Sequence, residues 1–310
     1  MKSSRLAPHG AAASTCPAQR RPVDGHAGLW MVLFCLALGA QQVAIKVVAG
    51  DIAPLAQVAL RSLAAALLVL AIARWHGMRL ADFRADLGPG LLVGLGFTGE
   101  FLFVACGLNY TLASHMSVFL YTAPVFAALG LHLWVPGEQL ARRQWWGIAM
   151  AFAGMLIAMA PTTQRADAGA VMLGDALGLL AGLSWAGTTL VLRRSSLSEA
   201  PPVKTLCYQL IVAAGLLLPT ASLLGDLEAI AVTGPVVASM AFQTLVISFG
   251  ALLLWFALLR RYLASQLGVF SFLSPVFGVL FGAMLLNEPL TLNFIMGGVA
   301  ILLGIVLVTR

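Results

Sequence analysis

The sequence predicts an all-α integral membrane protein with ten transmembrane helices, arranged as two inverted five-helix repeats. Three observations carry this. Of 310 residues, 60% are hydrophobic and 10% charged, against about 25% charged in a soluble domain. A chain of this size cannot hide so much apolar side chain in a water-surrounded core, so lipid must solvate it. Ten apolar runs approach or reach the roughly 20 residues that a helix needs to cross the hydrocarbon layer. Finally, the phrase APVFAAL at 123–129 returns as SPVFGVL at 274–280, in the fourth and the ninth run.

The runs are 29–49, 54–74, 88–108, 112–133, 142–160, 173–192, 205–224, 236–259, 263–286 and 290–308. The links between them are short and rich in Gly, Pro and charge, which leaves no room for a soluble domain. Residues 1–27 are polar and predict a disordered cytoplasmic tail. LALGA at 36–40 is read as membrane helix rather than as a signal-peptide end: the run before it is already helix-length, and the polar stretch is long for an n-region. The four cysteines, Cys16, Cys35, Cys106 and Cys207, match no metal spacing, and three lie in apolar runs as reduced thiols.

Basic residues set the orientation. With the N-terminus inside, fifteen of the 18 Lys and Arg fall in inside segments, among them Arg20, Arg21, Arg142, Arg143, Arg260 and Arg261. Only Arg165 falls outside, and Lys46 and Arg61 lie within runs. The positive-inside rule then predicts both termini in the cytoplasm. The charges are spread singly and in pairs, so the net charge of +6 reads as topology and not as a nucleic-acid surface.

The repeat follows from alignment. ASHMSVFLYTAPVFAALG (113–130) and ASQLGVFSFLSPVFGVLF (264–281) share eight of 18 positions at an offset of 151. After a one-residue deletion, Glu138 falls on Glu288, Gly147 on Gly297 and Gly154 on Gly304. Upstream, VAIK (43–46) resembles LVLR (190–193). The expected units are the tail 1–27, a first repeat 28–161 and a second repeat 172–310. Five helices per unit is odd, so the second unit enters the membrane upside down. Such inverted repeats are common in secondary transporters, where two related packings expose a midplane site to either side in turn.

These features resemble the drug/metabolite transporter superfamily, in its ten-helix branch with two EamA domains. The matching stretches are AIK ending the first helix, Arg61 in the second, and FLFVACGLNYTLASHMSVFLYTAPVFAALG followed by Glu138 and Gly147. The second half repeats them as LLLWFALLRRYLASQLGVFSFLSPVFGVLFGAMLLNEPL and Gly297. The resemblance implies export of amino acids or other small metabolites across the bacterial inner membrane, without a cofactor. A channel-like facilitator and a non-transporting scaffold or receptor remain as alternatives.

Candidate binding residues come from cost. A charge at the centre of a span costs about 2.5–3.5 kcal/mol on insertion scales. Glu100 lies near the centre of the third run, where it must be protonated, paired or facing a cavity; it could carry a coupling proton. Arg61 is a natural carboxylate clamp, and Lys46, with Gln42 one turn away, either extends a polar stripe or snorkels outward. Pro124 and Pro275 each free a carbonyl four residues earlier, at Leu120 and Ser271, in the middle of a span. Paired helix breaks at the midplane point to a binding site. Tyr121, Trp185 and Gln243 could line the same cavity. Gly147/Gly154, Gly297/Gly304 and Gly174/Gly178/Gly182 mark close helix packing, against an internal helix or the second subunit of a homodimer. No catalytic residue or metal site is expected. Asp175 in MLGDALG lacks the second membrane aspartate that a protease would need, and no zinc motif, nucleophile elbow or Walker loop occurs.

Overall fold

The computed structural model describes residues 20–111, 113–159, 168–228, 230–286 and 290–309. Among them the protein is helical, apart from one β-bridge between Arg21 and Tyr262. The first half holds α1 (Gly25–Val47), α2 (Pro54–Trp75), the short α3 (Leu80–Arg84), α4 (Leu87–Gly107), α5 (Ala113–Leu120), α6 (Ala123–Trp134) and α7 (Arg142–Ala158). The second holds α8 (Ala168–Arg194), α9 (Pro202–Leu223), α10 (Gly234–Phe242), α11 (Leu252–Arg261), α12 (Ala264–Phe270), α13 (Leu273–Leu286) and α14 (Leu292–Thr309). A π-helical segment, Gln243–Ala251, joins α10 to α11 as one span. Among the described residues nine spans are long and apolar enough to cross a membrane. The remaining predicted run forms the 17-residue α7, which packs along α14.

The fourth and ninth runs are broken where the prolines require it. Helix α5 ends at Leu120 and α6 restarts at Ala123; α12 ends at Phe270 and α13 restarts at Leu273. Proline cannot donate to the preceding turn, so the ladder is interrupted one turn upstream. Thr122 Oγ1 donates to Phe119 O (2.5 Å) and Ser271 Oγ to Gly268 O (2.6 Å), which satisfies carbonyls at the two breaks. The breaks face each other. Pro124 lies 3.7 Å from where a Cβ on Gly268 would sit, and the rings of Tyr121 and Phe272 are 6.3 Å apart.

Helices α2 and α9 are twins. Each has 22 residues and opens on a proline. Each is followed, two residues past its last, by a glycine at φ 77°, Gly77 and Gly225. That left-handed conformation is where a side chain would be strained and where helices commonly stop.

Without a hydrophobic force between helices in lipid, small residues allow the close approach that dispersion needs. The glycines expected to do this do so against internal helices. A Cβ on Gly147 would lie 2.8 Å from Gly304 O, and one on Gly304 would lie 2.6 Å from Gly147 O. Gly154 and Gly297 meet in the same reciprocal way, at 2.7 and 2.3 Å. Helix α8 receives the first break on its glycine stripe: a Cβ on Gly182 would meet Leu120 O at 3.0 Å. Long side chains such as Leu302 and Leu303 point outward instead.

One expectation is corrected. Residues 20–27, read as part of a disordered tail, are ordered. Arg21 N–H donates to Arg261 O and Leu263 N–H to Arg21 O, both at 3.0 Å. Val23 N–H reaches Gln266 Oε1 at 2.7 Å, and Asp24 caps α1 by accepting from Ala27 N–H at 2.8 Å. A polar composition hid a few residues whose backbone finds partners on the second half. Residues 1–19 lie outside the described residues.

Candidate functional site

A cavity of about 310 Å³ lies between the halves, walled by α1, α2, α4, α5, α8, α9, the π-segment and α11. At one face of the bundle its walls include Ile45, Pro54 and Leu108, at the ends of α1, α2 and α4. Towards the opposite face its lining ends at Leu192, Phe256 and Leu259, all buried.

Beneath that apolar floor lies a polar clasp. Arg193 pairs with Glu138 at 3.1 Å, with both side chains almost fully buried. Glu138 also accepts from Ala264 N–H (3.1 Å), Ser265 N–H (3.4 Å) and Ser265 Oγ (3.3 Å), and so caps α12. Arg193 donates to Tyr262 O. Around this core, Arg20 pairs with Glu199, and Asp86 accepts from both Lys204 and Ser196. The Lys204 ammonium and the Ser196 hydroxyl hold the Asp86 carboxyl below its ordinary value of 3.8. The closed face therefore gathers Arg20, Arg21, Arg193, Lys204, Arg260 and Arg261.

At middle depth stand the two charges. Arg61 is 2% exposed. It is held by neutral groups: Nη1 donates to Gln243 Oε1 at 3.2 Å, and its cation lies 5.2 Å from the Phe101 ring centroid. With the Gln41 amide turned so that its oxygen faces the guanidinium, Gln41 accepts from Nη2 at 3.1 Å and from Nη1. A second layer fixes Gln243, whose Nε2 donates to Gln57 Oε1 (2.7 Å) and Ser239 Oγ (3.0 Å). Gln57 in turn donates to Ile52 O at 2.9 Å. Arg61 Nε has no hydrogen-bond partner among the described residues. Glu100 lines the cavity across from α2, half-buried, with no hydrogen-bond partner among the described residues. Arg61 is seven residues past the start of α2 and Glu100 seven before the end of α4. At 1.5 Å per residue both lie about 10 Å below the open face. No ion pair joins them among the described residues. A cation and an anion at one depth, each on a cavity wall and not closed on the other, can hold a ligand with both charges.

A model of the EamA-like transporter family matches residues 26–160 and again 172–310. The chain belongs to the EamA-like transporter family. A "Probable amino-acid metabolite efflux pump" of Escherichia coli K12 is 29% identical over 235 residues, 72% of this chain and 77% of that one. A pump of the same description from Salmonella typhimurium is 30% identical over 69% of this chain and 75% of its own. An "Uncharacterized transporter" of Archaeoglobus fulgidus is 26% identical over 91% of this chain and 96% of its own. A crystal structure of another protein, 18% identical, superposes with a TM-score of 0.75 over 90% of this chain and 94% of that chain. This EamA-family protein is therefore a multi-pass membrane transporter, with a lipid bilayer and a small-molecule substrate as its partners.

Of the residues expected to form the site, the transporter brings Glu100, Arg61, Gln42, Tyr121 and Trp185 to the cavity wall. Gln243 is fully buried behind Arg61 and positions it. Lys46 is exposed near the end of α1 and is not on the wall. Pro124, Ser271 and Pro275 are buried in the two breaks, also off the wall. Ser271 O accepts from Ser274 N–H at 2.9 Å, and Leu120 O abuts Gly182. Leu120, at the first break, is itself on the cavity wall. Sequence reading missed Gln41 and Gln209 on the wall and the π-segment that carries Gln243. A π-bulge has no sequence signature, whereas Gln209 was within reach through the proline that opens its helix.

Proposed function

We propose that this protein is a secondary carrier that exports amino acids or related zwitterions across the bacterial inner membrane by alternating access. The observation that carries the reading is the pairing of Arg61 and Glu100, at equal depth on one cavity and not bonded to each other. The guanidinium would take the substrate carboxylate in a bidentate contact, and Glu100 would take its ammonium or a coupling proton. The description of the Escherichia coli and Salmonella relatives as amino-acid metabolite efflux pumps supports this class of substrate.

Alternating access rests on an inverted repeat of 28–161 and 172–310. Its support is reciprocity. Gly147 meets Gly304 while their counterparts Gly297 and Gly154 meet each other, and Tyr121 lies beside its own counterpart Phe272. A two-fold relation between halves makes contacts of this i-to-j, j-to-i kind. With both termini cytoplasmic, the basic closed face is the inner one, and the cavity opens outward. Swapping the packings of the halves would open it inward.

The test is counterflow in proteoliposomes loaded with single amino acids, with and without an imposed pH gradient. Accelerated exchange of a labelled amino acid is expected. Glu100→Gln keeps the shape and removes the titration, so gradient-driven flux should fall while exchange persists. If no amino acid exchanges, the substrate class is wrong. Gradient dependence that survives in Glu100→Gln would remove Glu100 from coupling.

A further inference from the structure

Gln209 is 4% exposed, lies on the cavity wall, and has a buried Oε1 with no hydrogen-bond partner. Leaving such an atom unsatisfied costs about 1–3 kcal/mol, and an unpartnered buried polar group in a native fold calls for an explanation. No hydrogen bond to the amide occurs among the described residues, and its side chain belongs to a residue of the cavity wall.

Its place in the fold is specific. Taking the opening prolines of the twin helices as origin, Arg61 is the seventh residue after Pro54 and Gln209 the seventh after Pro202. The same register brings Gly77 onto Gly225, both at φ 77°, so it holds at both ends of the helices. Gln209 is thus the second half's occupant of the Arg61 position. Arg61 lies about 10 Å from the open face, and Gln209 about 10 Å from the closed one, by the same helix rise. In a hydrocarbon layer of about 30 Å, that puts Gln209 roughly 10 Å deeper than the two charges. The cavity wall also carries Trp185 and Trp255.

We infer that Gln209 is a specificity-determining residue: it reads the far end of the substrate by hydrogen-bonding a neutral hydroxyl or carboxamide there. This rests on the reading that Arg61 and Glu100 hold the carboxylate and ammonium common to amino acids. An uncharged amide among apolar and aromatic walls suits a neutral polar group. Rotation about its last bond lets it donate or accept, so both group types fit. An aliphatic side chain of equal size leaves the amide without a partner, and sites built around a buried hydrogen bond discriminate against such analogues.

The test is counterflow with the purified full chain and two matched pairs of probes, threonine against valine and asparagine against leucine. The native carrier should show a half-saturating concentration at least about tenfold lower for the polar member of each pair, the equivalent of one hydrogen bond near 1.4 kcal/mol. Gln209→Met, close in size but unable to make that bond, should bring the members within about twofold while still moving valine and leucine. Gln209→Asn should restore part of the preference. Should Gln209→Met fail to reach the membrane, the discrimination in Gln209→Asn and in Gln209→Ala is read instead, reduced in the first and lost in the second. Equal handling of each pair by the native protein, or an unchanged preference in the variants, would overturn the inference and leave the carboxylate-and-ammonium site standing. Failure of the native protein to exchange any of the four would overturn both.

Discussion

Arg61 and Gln209 occupy the same register on twin helices, yet one is a cation wrapped in acceptors and the other a neutral amide left without partners. Several backbone features of the first half recur in the second. Both have an opening proline, a closing glycine, a broken span and a glycine pair on the last helix. The mismatch falls on the side chains that face the cavity and on the π-segment, for which α4 has no equivalent. The comparison teaches a division of labour. On the proposed alternating-access reading, the matched backbone would let the two halves rock between two packings, whereas binding a polar molecule requires unlike groups at its two ends.

The sharpest way to break the comparison is to remove the cation. Arg61→Ala takes out a buried guanidinium and leaves Gln41 and Gln243 facing a void. Hydrogen bonds to charged groups are worth about 1.5–3 kcal/mol, so substrate affinity should fall by roughly 10- to 150-fold at every pH. Arg61→Gln, which copies the second half into the first, should be folded and equally weak. Titration calorimetry on detergent-purified protein decides this; unchanged affinity in either variant would show that Arg61 is a packing group.

The clasp comes next. Glu138 belongs to the first half but caps α12 of the second. Glu138→Gln leaves Arg193 buried opposite a neutral amide, and breaking a buried pair typically costs about 3–5 kcal/mol. If the clasp holds the closed face, this variant should loosen it. A cysteine at Ala200 should then react faster with a thiol reagent in Glu138→Gln than in the native background. Equal reactivity would mean that the apolar floor, Leu192, Phe256 and Leu259, closes the face alone. Glu288, the counterpart in the second half, lies outside the described residues.

A smaller effect is expected at the breaks. Pro124→Ala and Pro275→Ala each restore one donor, but both prolines are already buried among packed neighbours and lie off the cavity wall. Slower exchange at unchanged affinity is the expected result, because the breaks shape the helices that must move. Native rates in both variants would leave them as packing features.

How much of this was legible in sequence depends on what each feature costs in lipid. The spans and both breaks could be read, because hydropathy and proline act locally and strongly. The deep charges Arg61 and Glu100 could be read for the same reason. Lys46 could not be told from a site residue, since a long side chain near a helix end has two outlets, water and cavity. Gln209 and Gln243 were harder. An amide costs little compared with a charge, so its presence in a span raises no alarm. What separates them is a partner list: Gln243 has three partners and Gln209 none. Partner lists exist only once the helices are packed.

The mildest perturbation separates the two faces by pH. Asp86 ties α4 to the segment after α8 on the closed face, and Lys204 and Ser196 hold its carboxyl below 3.8. A carboxyl whose folded pKa is depressed stabilises the native state at every pH above its unfolded value. That contribution is lost as pH falls through the lower, folded value. Asp86→Asn should therefore lower thermal stability near neutrality, by an amount equivalent to about 1 kcal/mol for a partly exposed charged hydrogen bond. The gap between variant and native should then narrow as the pH drops below about 3.8, the unfolded value, and close once the native carboxyl takes up its own proton at a lower pH. The loss should appear first at the closed face, so lowering the pH should speed backbone amide exchange, relative to its intrinsic rate at each pH, around Ala200 before it does so around Asp51 on the open face. A gap between Asp86→Asn and native protein that stays constant from neutrality to below this range would show that the Lys204 pair adds no charge-dependent stability. The closed face would then owe its closure to Arg193, Glu138 and the apolar floor.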